Sequence, residues 1–156
     1  MQVLKYTNSA EVTGAKSRWL VVYVSCAIDR EGEVAMLNKA QKKRLLEIAR
    51  NSIAAYLKTN KKMELTETDP LLLKEMGAFV TLHKHGELAG CIGNLLGQQP
   101  LYLAVRDMAV EAAVDDPRFS PVTLQELKDI EIEISALSPL KKIESADEIK
   151  MGIHGV

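Results

Sequence analysis

The sequence predicts an α+β domain in which helices pack on a mainly antiparallel sheet. Three patterns point to it. After Asn38, apolar residues recur every four positions, the period of a helix face. Two strand-like segments, 78–84 and 88–92, flank a short turn containing glycine. Ile130, Ile132 and Ile134 then alternate with Glu131, Glu133 and Ser135, as on a half-buried strand.

The elements follow in order. Val3 to Tyr6 reads as a short strand, ended by the turn residues Thr7, Asn8, Ser9 and Gly14. Trp19 to Ile28 is an apolar, β-branched run that predicts a buried strand. The charged break from Asp29 leads into a linker over 31–37. Asn38 is a candidate N-cap for a helix with Leu45, Ala49, Ile53 and Leu57 on one face. Lys58, Lys61 and Lys62 suit its C-terminal end, where the macrodipole favours cations. Residues 63–77 read as an irregular connector around Pro70. His85-Gly86-Glu87 reads as a three-residue hairpin turn. Pro100 suits the first turn of a second helix, with Leu101, Ala104, Met108 and Ala112 facing inward. Asp115-Asp116-Pro117 ends it, because the residue before proline is disfavoured in α geometry. Thr123 and Glu126 match a capping box for a short helix through Leu127, and Ile153 to Val156 opens one more strand.

A chain of 156 residues suits one compact domain with at most a short appendage. A formal net charge of −1 argues against a dominant nucleic-acid-binding surface. The cluster Lys42, Lys43 and Arg44 is the one place such a contact could form, against the plainer reading of a solvated helix face. The two cysteines, Cys26 and Cys91, lie in different segments without metal-ligand spacing, which places the chain in a reducing compartment, the cytoplasm. No apolar run reaches the roughly 18 residues of a membrane span. No apolar segment follows Lys5 as in a secretion signal. No metal or cofactor is implied.

The segment Gly90-Cys91-Ile92-Gly93 reads as a strand-turn-helix junction. Strand alternation assigns Leu88 and Ile92 to the core, with Ala89 and Cys91 on the opposite face. The two glycines permit close backbone approach, a bulge or a tight bend. Cys91 is a candidate nucleophile, redox thiol or metal ligand, or simply a small buried residue. The glycine spacing matches neither a P-loop nor a dinucleotide fingerprint. Asp115 and Asp116 lie where a helix dipole disfavours them, and Arg118 is the nearest compensating charge. They form either a local clamp on the Asp-Pro turn or a polar cluster at a cleft. His154, between two glycines, is a further candidate for a site lining.

Taken together, an ordered set of motifs resembles the AMMECR family from about Leu37 to Val156. The set runs Gly77-Ala78-Phe79-Val80-Thr81-Leu82, Leu88-Ala89-Gly90-Cys91-Ile92-Gly93, Pro100-Leu101-Tyr102, Asp115-Asp116-Pro117-Arg118-Phe119, Ile134-Ser135 and Gly152-Ile153-His154-Gly155. The resemblance implies an antiparallel α+β fold and a cleft at the Gly-Cys-Ile-Gly motif, with Cys91 as its catalytic candidate. Gly90, Ile92, Gly93, Asp116, Arg118 and His154 would line it. It implies association with Memo-like and radical-SAM proteins but no established reaction, substrate or cofactor. Two departures stand out: Ala89 replaces the family's usual arginine, and the family domain normally continues past Gly155, so the domain over 38–156 reads as incomplete at its C-terminus. Residues 1–30 resemble the C-terminal tail of a Memo-family protein through Val3 to Ser9, Val12-Thr13-Gly14 and Val21-Val22-Tyr23. The chain therefore reads as a fragment of a fusion. The functional expectation is a component of a Memo and radical-SAM pathway, against a protein-binding scaffold without catalysis.

Overall fold

The structure, a computed structural model, describes residues 37–137. The expected strands at Val3 to Tyr6, Trp19 to Ile28 and Ile153 to Val156, together with Cys26 and His154, lie outside the described residues. Within them, helix α1 (Lys39–Thr59) begins at a reciprocal cap. The Asn38 side chain accepts from the Gln41 N–H at 2.9 Å, and the Gln41 side chain accepts from the Asn38 N–H at 2.8 Å. Its inward face buries Leu45, Leu46, Ile48, Ala49 and Ile53. The helix stops at Asn60, whose left-handed backbone (φ 55°) turns the chain out. The connector that follows has no regular structure up to the hairpin. It is pinned by Asp69, which accepts from the Leu71 and Leu72 N–H groups and from the Gln41 side chain.

Strands β1 (Gly77–Lys84) and β2 (Glu87–Asn94) form the expected hairpin, but the turn is shorter than expected. Only His85 and Gly86 link the strands, both at positive φ (53° and 86°). This is the two-residue turn whose twist matches that of the strands it joins. Glu87 already belongs to β2 and pairs with Lys84. A bulge follows, because Leu82 pairs with Gly90 while His83 pairs with Leu88, leaving Ala89 as the extra residue.

The bulge overturns the simple alternation. Ile92 lies opposite buried Val80 and packs against the core. Leu88 lies opposite His83, on the Thr81 face, and is 42% exposed. Ala89 is partly buried against the core and does not share the Cys91 face. The expected junction is also corrected. Gly90 to Gly93 lie wholly inside β2, which continues to Asn94, six residues before Pro100.

Helix α2 (Leu101–Val114) follows, with Pro100 standing just before its first turn as the N-cap residue. Glu126–Asp129 form a single 3-10 turn, and β3 (Ile130–Leu137) returns antiparallel to β1. Among the described residues the sheet is three-stranded and antiparallel, in the order β2-β1-β3, which makes the fold α+β. One core joins Ala78, Val80 and Leu82 of β1, Ile130, Ile132 and Ile134 of β3, and the inner faces of both helices. Leu37 packs into the same core. Helix α2 buries residues toward both the sheet and α1.

Candidate functional site

Cys91 lies on edge strand β2, opposite Thr81 of the central strand. Its N–H donates to Asp116 Oδ2 at 2.8 Å, and its carbonyl accepts from Arg118 Nη2 at 2.9 Å. Both backbone groups of Cys91 therefore point away from β1, which makes Cys91 and Thr81 a non-hydrogen-bonded pair. Such pairs bring their side chains closest. Accordingly the Cys91 Sγ lies 3.2 Å from the Thr81 hydroxyl. Thr81 was not among the residues singled out from the sequence, although the register that a three-residue turn implies already sets it opposite Cys91.

Asp116 and Arg118 reach this edge because α2 passes very close to β2. A Cβ added at Gly90 would fall 2.1 Å from the Ala112 carbonyl oxygen. Glycine at position 90 thus serves close helix–strand packing, and the C-terminal end of α2 is carried to Cys91. Beyond the helix, Asp116 turns inward and is 5% exposed. Its Oδ1 accepts from the Arg118 N–H at 3.1 Å and from Arg118 Nε at 3.0 Å. Its Oδ2 accepts from Arg118 Nη2 at 2.8 Å as well as from Cys91. The clamp read from the sequence is formed, and it extends to the Cys91 backbone. It occupies the place a neighbouring strand would take, one way of closing an edge.

The Arg118 side chain bonds hold the Asp116 carboxyl well below the usual carboxylate range, against an opposing push from burial. The Cys91 and Arg118 N–H groups add to the lowering. Asp116 in turn raises the Arg118 guanidinium above its ordinary value. The outer side of Arg118 is open, at 58% side-chain exposure, and its guanidinium lies 5.2 Å from the Phe119 ring centre.

The remaining candidates are distributed around this point. Gly93 lies opposite Phe79, whose ring covers it so closely that any Cβ would clash. Ile92 faces the core, not the thiol. His83 shares the Thr81 face but makes no hydrogen bond to Cys91. Of the basic cluster on α1, Lys43 pairs with Glu47, and Arg44 with Glu47 and Glu67. Among the described residues no group of three or more His, Cys, Asp or Glu is poised to hold a metal, and no helix is long and apolar enough to cross a membrane.

The AMMECR1 family model matches residues 46–156. The chain belongs to the AMMECR1 family. The protein PYRAB00100 of Pyrococcus abyssi is 42% identical over 123 residues, covering 72% of this chain and 60% of its own length. A protein of Methanothermobacter thermautotrophicus is 38% identical over 129 residues, covering 78% of this chain and 67% of its own. The crystal structure of the uncharacterized protein PH0010 from Pyrococcus horikoshii superposes with a TM-score of 0.62 at 40% identity. That match covers 70% of this chain and 59% of that one. This AMMECR1-family chain thus spans about three fifths of the length of the first curated relatives it matches.

Proposed function

We propose that this AMMECR1-family chain is a component of a cytoplasmic pathway that includes Memo-like and radical-SAM proteins, working through the Cys91 edge of β2. One observation carries the choice of surface. Buried Asp116 and exposed Arg118, from 25 and 27 residues along the chain, hold both backbone groups of Cys91, while the thiol stays on a half-exposed face beside Thr81. Arg118 supplies a guanidinium at this edge, where the family's usual arginine is replaced by Ala89. The proposed partners rest on the family resemblance and on the likeness of residues 1–30 to a Memo-family tail. The test is co-purification of the full chain with Memo-like and radical-SAM proteins from a native extract. Binding that is lost in Arg118→Ala and kept in the exposed control Leu124→Ala supports the reading. Failure to capture either partner sinks it.

A second reading is a binding module without chemistry. It is favoured by the hydrogen-bonding environment of the thiol, which lies 3.2 Å from the Thr81 hydroxyl and has no imidazole or carboxylate bonded to it among the described residues. Iodoacetamide alkylation across pH separates the two. A Cys91 faster than a model thiol at neutral pH supports a reacting group, and an ordinary or slower rate supports the binding module.

A further inference from the structure

The Asp115–Asp116 pair is only half explained by the clamp. Asp116 is neutralised by Arg118, but the exposed Asp115 side chain has no hydrogen bond or ion pair among the described residues. It occupies the C-cap of α2, a helix with no basic residue in its last turn. A carboxylate placed there adds to roughly half a negative charge from the helix end. The C-terminal end of α1 meets it across an open cleft of about 470 Å³. That volume lies within the roughly 300–1,000 Å³ typical of small-molecule sites. The cleft is lined on the α1 side by Leu57, Lys58 and Thr59, whose carbonyls have no partner inside the helix. Two negative helix ends and a free carboxylate thus share one space.

Lys58 brings the opposite charge to the same cleft. Its exposed side chain also has no ion pair among the described residues, so it lies beyond bonding reach of Asp115. Tyr56, Leu57 and Val114 add a smaller apolar share to a lining that is mostly polar. The frame is set in advance. The Asn60 N–H donates to the Tyr56 carbonyl at 2.7 Å, the Thr59 hydroxyl donates to the Ala55 carbonyl at 2.8 Å, and the Asp115 N–H donates to the Glu111 carbonyl at 2.8 Å.

We propose that this cleft binds a small zwitterion, an α-amino acid being the simplest, with its ammonium at Asp115 and the helix ends and its carboxylate at Lys58. The ammonium offsets the one charge that the fold leaves uncompensated at α2. The site is separate from the Cys91 edge and does not depend on its function.

The test is a nuclear magnetic resonance titration of the full, isotope-labelled chain with L-leucine. Saturable shifts centred on residues 56–60 and 114–115 are expected. Asp115→Asn and Lys58→Met should each weaken binding by about tenfold or more, the effect of losing one charge-assisted hydrogen bond. Both residues are exposed, so unperturbed spectra elsewhere will show that the variants fold. n-Pentylamine and 4-methylpentanoate, which carry one charge each, should bind more weakly than leucine. The proposal is overturned if leucine gives no saturable shifts, or if n-pentylamine binds as tightly and Lys58→Met changes nothing.

Discussion

At Asp116 four N–H groups converge on two carboxylate oxygens, three from Arg118 and one from Cys91. Because the folded state binds the ionised carboxylate, its proton affinity falls well below the usual value of 3.8. The sign of the linkage follows. A depressed carboxyl contributes stability that is fully present above its unfolded value and is lost as pH falls toward its folded one. Thermal unfolding should therefore show Asp116→Asn less stable than the parent at neutral pH. The gap should narrow as pH drops below about 3.8, where the parent's carboxylate begins to be protonated in the unfolded chain. Arg118→Lys gives a sharper test of geometry. Nε and Nη2 of Arg118 serve Asp116 and the Cys91 carbonyl together, and an ammonium on a flexible stem does not reproduce that fork. Urea unfolding should place the midpoint of Arg118→Lys nearer to Arg118→Ala than to the parent. A midpoint equal to the parent's would mean that charge alone suffices. The sequence suggested the Asp–Arg contact from proximity along the chain. Its reach to Cys91 was not legible, because it depends on how α2 crosses β2.

At the level of elements, the hairpin explains which parts of the sequence reading survived. A three-residue loop, and a two-residue loop followed by a one-residue bulge, shift the strands by the same amount. Beyond the bulge Thr81 meets Cys91 and Val80 meets Ile92, the register a three-residue loop would give. Between the turn and the bulge the faces exchange, so Ile92 was placed correctly and Leu88 and Ala89 were not. The Asn38 capping box is local and was easier to read; Thr123 does bond reciprocally with Glu126, but the 3-10 turn starts only at Glu126, with Gln125 as an N-cap that makes no side-chain bond. Gly90→Ala forces a Cβ against the backbone of α2, not against a side chain that can turn away. Chemical denaturation should show a loss of about 1–3 kcal/mol or more, the range for overpacking. Glu126 is held down to about 2 from 4.5, first by Lys84 at 2.5 Å and then by Thr123. Its contribution is present above pH 4.5 and is lost as pH falls from 4.5 toward 2. Glu126→Gln should therefore lower the melting temperature at neutral pH, and the difference should shrink through that window.

At the scale of the whole molecule, the buried core of the described residues lies on one side of the sheet. Both helices contribute to the core over Ala78, Val80 and Leu82, and the opposite face of β1 carries Phe79, Thr81 and His83 at intermediate exposure. The general fold was legible because its signals are periodic. Helix spacing marked α1 and α2, and isoleucine alternation marked β3. The strand order was less legible, since nothing local states that β3 returns beside β1 across more than forty residues. That order makes β1 the strand on which the core depends, because its neighbours on both sides are paired to it. Leu82 of this strand is fully buried, opposite Gly90 on one side and Ile132 on the other. Gly90 offers no side chain to fill space vacated there. Leu82→Ala should therefore cost about 2–5 kcal/mol in chemical denaturation, toward the upper end because relaxation is limited. Leu96, 51% exposed beyond the end of β2, is the matched control. Leu96→Ala should stay within about 0.5 kcal/mol of the parent. Equal losses at the two positions would contradict a one-sided core. A selective loss at Leu82, with Cys91 alkylation unchanged in Leu96→Ala, would separate what holds the domain together from the edge proposed to work.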